Sequence, residues 1–477
     1  MGEEIDTSRF TELDFIEYKN RLQAETELLE EWFQQGRFVA DKRMGGYELE
    51  SWLVDKQYNP SPINEEFLKR LNSEWVTPEL SRFNVELNGP PVVLHKHALR
   101  TMERDLKETW SACVQTAHEM DADIIMVGIL PNIQEDQLVL ANMSRMQRYQ
   151  ALNEQVFKLR QGRPLHLDIV GREHLKTTHH DVMFESATTS FQIHLLVSPQ
   201  DSVSFYNASL IASAALVAVS ANSPYLFGHD VWDESRIPLF EQAVEVGGFD
   251  GAVFGPTRRV SFGSGYARES LFECFTENLD HFPILLPKLY DDAPEKMSHV
   301  RLHNGTIWRW NRPLIGFEED GTPHMRIEHR VVSAGPTVVD EIANAAFYFG
   351  LTQYLATLEM PPEKLISFSQ ARDNFYEAAR VGLSASCHWV NGRKGIISTL
   401  IQEELVQAAR IGLRAMEIDR EDIDYYMGII EQRVQKGLNG ATWQRQYVKK
   451  HQCDMRQLTE AYAEHQHTGD PVHRWSV

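Results

Sequence analysis

Four short segments of this chain alternate polar and apolar residues, and their polar positions carry carboxylates, a histidine and arginines. They are Gly46-Tyr47-Glu48-Leu49-Glu50, Phe83-Asn84-Val85-Glu86-Leu87, Phe191-Gln192-Ile193-His194-Leu195 and Met325-Arg326-Ile327-Glu328-His329-Arg330. Successive side chains on a strand point to opposite faces, so each segment sets its acids on one face and its apolar neighbours on the other. One such strand is ordinary. Four of them predict a sheet with one face for a core and one lined with ligands for hard cations.

Taken singly, each segment has a plain structural reading. Glu48 and Glu50 suit a solvent-facing edge strand, and their carboxylates repel unless a cation neutralises them. Glu86 lies between Asn84 and Asn88, and His194 shares its face with Ser190 and Gln192. A lone strand histidine is more often a satisfied core residue than a ligand. Glu328 between Arg326 and Arg330 reads alone as an ion-pair ladder. Together they say more. Carboxylates with one imidazole suit Mg²⁺ or Mn²⁺ better than zinc. Arginines on the same surface offer charge-assisted forks for phosphate and carboxylate. That combination meets the demands of phosphoryl transfer from ATP, in which metals neutralise the phosphates and arginines stabilise the transferring group.

With 477 residues the chain can bury a large core. The formal net charge of −21 argues against nonspecific binding to nucleic acid or anionic membrane. The 4 cysteines are scattered with no CxxC pair, so neither a disulfide scaffold nor a zinc knuckle is expected. The acidic start Met1-Gly2-Glu3-Glu4 has no apolar core and reads as no signal peptide. The apolar run from Leu210 to Ala221 is shorter than the roughly 20 residues that span a bilayer, and predicts a buried helix. The expectation is a soluble, cytoplasmic protein.

Apolar spacing predicts helices over 12–35, 98–120, 143–160 and 202–221, and strands over 124–130, 306–312 and 324–332. The glycine-rich stretch 247–265 lacks the strand-then-helix setting of a phosphate loop and reads as surface loop or as a cover over the site. From Thr337 to about 465 the pattern is helical, broken near Pro361-Pro362, Asn391-Gly392 and Asn439-Gly440. The chemistry-bearing strands are spread over most of the chain, which predicts one large α+β catalytic domain over 1–390, with a helical region 391–477 packed on it. Those helices offer an oligomer interface as readily as a packing face.

Beyond this pattern, the segments together resemble the glutamate–cysteine ligase superfamily, in particular its bacterial carboxylate–amine ligase branch. The resemblance rests on Gly46-Tyr47-Glu48-Leu49-Glu50, on Glu79 through Glu86 to Pro90, on His194, and on Ser220-Ala221-Asn222-Ser223-Pro224-Tyr225 continuing to Ser235-Arg236. It continues with Trp308-Arg309-Trp310-Asn311-Arg312-Pro313, Ile327-Glu328-His329-Arg330, and Arg372-Asp373-Asn374 with Ala378-Ala379-Arg380-Val381-Gly382-Leu383. The blocks keep the family's order from residue 46 to about 385. Two departures stand out: Val331-Val332-Ser333 follows Arg330 where the family usually has an aspartate nearby, and the His194 strand lacks a His-x-His form.

This resemblance implies a glutamine-synthetase-like fold with a curved, mainly antiparallel sheet covered by helices. It implies an ATP-dependent ligase that activates a carboxylate, the side chain of glutamate, as an acyl phosphate and passes it to an amine. Two or three Mg²⁺ or Mn²⁺ ions are expected, one held by Glu50, Glu79 and Glu86, another by Glu48, His194 and Glu328. The resemblance places Arg309 and Arg312 at the ATP phosphates, Arg330 with Glu328 at the transferring phosphoryl group, and Arg236 at the substrate's α-carboxylate. Two alternatives stand beside it: glutamate–cysteine ligase proper, making γ-glutamylcysteine, and a non-catalytic nucleotide-binding or regulatory protein on a ligase scaffold. The expected partners are a small amino acid and an amine acceptor.

Overall fold

In the computed structural model, residues 4–5, 7–39, 42–246, 258–390 and 392–477 are described. The alternating segments all enter one sheet. Its strands are β1 (Met44–Asp55), β2 (Val76–Pro78), β3 (Asn84–Asn88), β4 (Val92–Val93), β5 (Ala122–Ile125), β6 (Phe191–Val197), β7 (Asn311–Phe317) and β8 (Pro323–His329). They lie in the order β7-β8-β6-β1-β3-β2, with β4 and β5 also pairing along β1, and every pair is antiparallel. The sheet curls into a half barrel, and the fold is the α+β architecture expected.

One face of the sheet is apolar. Leu49, Phe191, Ile193, Leu195, Met325 and Ile327 point to it and are buried. Two helices in this core, Ser202–Ser220 and Val338–Ala356, are buried almost all round. The first is long and apolar enough to cross a membrane, yet it is packed inside the protein, as the run from Leu210 predicts. Two polar pairs in this layer are hydrogen-bonded: Asn311 Nδ2 donates to Ser213 Oγ at 2.9 Å, and Ser209 Oγ lies 2.9 Å from the Tyr348 hydroxyl.

The first helix, Glu12–Gln35, begins at a capping box in which Thr11 and Asp14 satisfy each other's backbone N–H groups. Its buried Glu25 accepts from the backbone N–H groups of His299 and Val300, both at 2.9 Å. A carboxylate there caps the N-terminal end of the Ser298–Gly305 helix and complements its dipole. This fixes a helix that forms one wall of the cavity described below.

The C-terminal helices pack on the same core. Val338–Ala356 crosses Val406–Ala415 at Gly350 and Gly412, where a Cβ on Gly412 would meet the Gly350 carbonyl oxygen. Arg433, on the Arg420–Lys436 helix, is buried, donates to Asp340 at 2.8 Å and to Asn344 at 2.6 Å, and reaches the Val219 carbonyl at 3.1 Å.

Three expectations need correction. The strand predicted over 124–130 is regular only to Ile125, because side chains take over its hydrogen bonds: Gln466 accepts from Met126 N–H, and Trp52 Nε1 donates to the Val127 carbonyl. The strand predicted over 306–312 is interrupted at Trp310; Trp308–Arg309 pairs in parallel with Val260–Ser261, and β7 starts at Asn311. The helical stretch after Thr337 contains a small hairpin of Ser386–His388 with Lys394–Ile396. Of the glycine-rich stretch, 247–257 lies outside the described residues, and Arg259 is buried with its guanidinium on the Thr306 and Pro283 carbonyls.

Candidate active site

The antiparallel register lines up side chains in rows across the cavity-facing side of the sheet. Gly46 of β1, His194 of β6, Glu328 of β8 and Arg312 of β7 are successive partners in one row. In the next, Asn88, Glu48 and Gln192 are partners. In a third, Thr77, Glu86 and Glu50 stand side by side. Directly opposed side chains in such a ladder share a face, which is how segments nearly 300 residues apart deliver their acids to one place.

Two groups of ligands result. Glu48, His194 and Glu328 bring ligand atoms within 4.8 Å of one another, and so do Glu50, Glu79 and Glu86. Glu79 is the one member off the strands, immediately after β2. These acids line a cavity of about 240 Å³ that also carries Glu185, Arg148, Tyr149, Arg312, Arg326 and Arg330. Apolar side chains share its lining, among them Phe275, Leu286, Leu302, Trp308 and Leu314, the last directly across from Arg326.

The two groups differ electrostatically. Burial would lift the Glu328 carboxyl, but Arg312 and Arg330 overturn this and hold it down at about 2. Arg312 grips both Glu328 oxygens at 2.9 Å, and Arg330 Nη1 donates to one of them at 2.9 Å. Glu48 is likewise kept charged: burial opposes it, while His194 and Arg326 favour it. In the other group the shifts run upward. Burial, with the repulsion of Glu86, pushes Glu50 up to about 7 although Ser190 and Gln192 donate to it. Burial and neighbouring carboxylates also raise Glu79, Glu86 and Glu185. Four crowded carboxyls with raised pKa values are the environment a divalent cation relieves, and all-oxygen ligands suit Mg²⁺ or Mn²⁺. The residues present fit such ions.

His194 adds a condition. Its Nε2 lies 3.3 Å from Glu48 Oε1, while its Nδ1 accepts from Arg326 Nε at 3.1 Å. An imidazole that ligates a cation through Nε2 carries its proton on Nδ1, so Arg326 must release this bond when Nε2 binds.

The structure brings together Glu48, Glu50, Glu79, Glu86, His194, Glu328, Arg312 and Arg330. Two expected residues are not among them. Arg309 does not line the cavity: it is 2% exposed and is held by Asn278 at 2.7 Å and Glu277 at 3.0 Å, since alternation along Trp308–Arg309 gives the cavity to Trp308. Arg236 is also 2% exposed, with donors taken by Glu234 at 3.0 Å and by the Arg330 and Val331 carbonyls at 3.2 and 2.7 Å. It braces the turn after β8 and has no free face for a substrate carboxylate. Conversely, Arg148, Tyr149 and Glu185 line the cavity without having stood out in the sequence. Arg148 and Tyr149 lie on a helix and Glu185 in a short 3₁₀ turn, outside the alternating strands.

The curled antiparallel sheet presents acids and arginines on one face and packs helices on the other, and the family match of this chain supports a carboxylate–amine ligase. The chain belongs to glutamate–cysteine ligase family 2, whose sequence profile matches residues 44–465. Its fold is similar to that of the glutamate–cysteine ligase of Francisella tularensis in complex with AMP, with a TM-score of 0.57 and 11% identity, covering 92% of this chain and 90% of that one. It is also similar to a bifunctional glutathione synthetase from Pasteurella multocida, with a TM-score of 0.51 and 12% identity, covering 95% of this chain and 54% of that one. No curated protein matches the sequence.

Proposed function

We propose that the protein is an ATP-dependent carboxylate–amine ligase that activates the side-chain carboxylate of glutamate. The observation that carries this reading is one cavity lined by the acids of both ligand groups, by arginines and by apolar side chains. Trp308 and Phe275 suit a purine base; the acids and arginines suit phosphates, cations and a charged amino acid. In this reading Glu50, Glu79 and Glu86 hold one divalent ion, and Glu48, His194 and Glu328 hold a second. Bound there, the ions neutralise phosphate charge and orient it.

The rest of the work falls to this chain's own groups. Arg330, kept firmly protonated by Glu328 and Glu50 despite its burial, is positioned to stabilise charge on the transferring phosphoryl group. Arg312, fixed by its fork on Glu328, lies beside the phosphate path. Arg148, beside Glu79 and Glu86, takes the place first given to Arg236 as the cation for a substrate carboxylate. A substrate carboxylate oxygen attacks the γ-phosphorus, and ADP leaves. The amine nitrogen then attacks the acyl carbon, phosphate leaves with that oxygen, and the nitrogen loses a proton.

Glutamate labelled with ¹⁸O in its side-chain carboxylate tests this directly. One labelled oxygen per turnover is expected in the released phosphate, and unlabelled phosphate would refute the acyl-phosphate route. Formation of γ-glutamylcysteine is the second reading, favoured by the family profile itself. Cysteine as the only amine that releases ADP would select it.

A further inference from the structure

Outside the lining of the cavity, three other ligand-type side chains converge where the last long helix meets the sheet. His118 lies near the end of the Ala98–Glu119 helix, Asp123 is on β5, and His467 ends the Met455–His467 helix. Their ligand atoms lie within 4.8 Å of one another. A single oxygen, Asp123 Oδ1, stands 3.4 Å from His118 Nε2 and 3.3 Å from His467 Nε2. With metal–ligand bonds of about 2.0 Å, the edge of a tetrahedron of ligands is about 3.3 Å, so these separations are those of atoms around one ion.

The backbone holds the three in place. The turn between His118 and Asp123 is tight, with Asp121 in the left-handed region at φ 56°. Gln466, next to His467, accepts from Met126 N–H at 3.1 Å and donates to the Met126 carbonyl at 2.7 Å, which fixes the end of the helix against the continuation of β5. The imidazoles remain reachable: the His118 side chain is 56% exposed and that of His467 32%.

We propose that His118, Asp123 and His467 form a second metal site, for a transition ion of the zinc class with water completing the tetrahedron. Two imidazoles and one carboxylate favour such an ion over Mg²⁺, which prefers oxygen ligands. The ion staples the C-terminal helix to β5. Because Asp123 pairs with Val54 across from β5 to β1, the staple fastens the far end of the strand that carries Glu48 and Glu50. Nothing in this site depends on the reaction performed in the cavity.

Calorimetric titration of the full chain with zinc chloride, in saturating Mg²⁺, tests the site. His118→Ala, His467→Ala and Asp123→Asn are each compared with wild type and with His166→Ala, an exposed histidine on a separate hairpin. Zinc binding is expected to weaken roughly tenfold or more in each of the three ligand variants and to stay unchanged in His166→Ala. Zinc should also raise the melting temperature of wild type and not of the ligand variants. The same zinc affinity in both histidine variants as in wild type, or no zinc binding by wild type, would overturn the proposal.

Discussion

Glu328 is held by two arginines yet belongs to a proposed metal-ligand group, so its charge is shared between fixed cations and bound ones. Glu328→Gln keeps the shape and removes the charge; turnover is expected to fall by about 10²–10³-fold or more, with the folded state retained by circular dichroism. Arg236 gives the opposite expectation. Removing it leaves Glu234 buried without its ion-pair partner, so Arg236→Ala should cost roughly 3–5 kcal/mol in urea unfolding. A raised KM with unchanged stability would instead restore Arg236 as a substrate ligand. Strand parity made the site legible at this scale: Glu48, Glu50, Glu86, His194 and Glu328 alternate with apolar neighbours, and that pattern alone put them on one face. It could not tell that Arg309 and Arg236 turn inward, because Arg309 is held by Glu277 and the terminal nitrogens of Arg236 by the backbone after β8, both distant in sequence. Glu185 and Arg148 reach the cavity from segments with no strand alternation to read.

Elements were readable in proportion to their periodicity. The Glu12–Gln35 and Ser202–Ser220 helices carry long apolar patterns, and the observed bounds follow them closely. The short β2 and the hairpin of Leu165–Val170 with His174–His179 are set by register with neighbours, which a single segment does not reveal. The close crossing of Val338–Ala356 and Val406–Ala415 was equally hidden, since a glycine in a helix reads locally only as a weak spot. There Gly412→Ala is expected to destabilise by about 1–3 kcal/mol through overpacking against the Gly350 carbonyl, although alanine is the better helix former. A rise in melting temperature would show that the helices separate without cost.

The whole molecule combines a large apolar core with buried groups tuned by their surroundings. Burial holds His303 down at about 4, and His329 at about 3. Both lie below the unfolded value near 6.5, so the folded chain binds fewer protons. The stability they confer is present above pH 6.5 and is lost as the pH falls through the folded values. His303 alone should remove about 3 kcal/mol by pH 4, a loss that His303→Gln should lessen in a pH series of urea melts. At this scale the fold class and the order of the blocks were visible in the sequence, while the cavity was not, because one of its walls is the Ser298–Gly305 helix, placed by Glu25 near the other end of the chain. The central claim, that this cavity joins a carboxylate to an amine at the expense of ATP, is tested most directly by ADP formation with ATP, Mg²⁺ and glutamate across cysteine and a panel of other amines. Acceptor-dependent ADP release, abolished in Glu328→Gln, is the predicted result. ATP bound but no ADP released with any acceptor, or full release by Glu328→Gln, would contradict it.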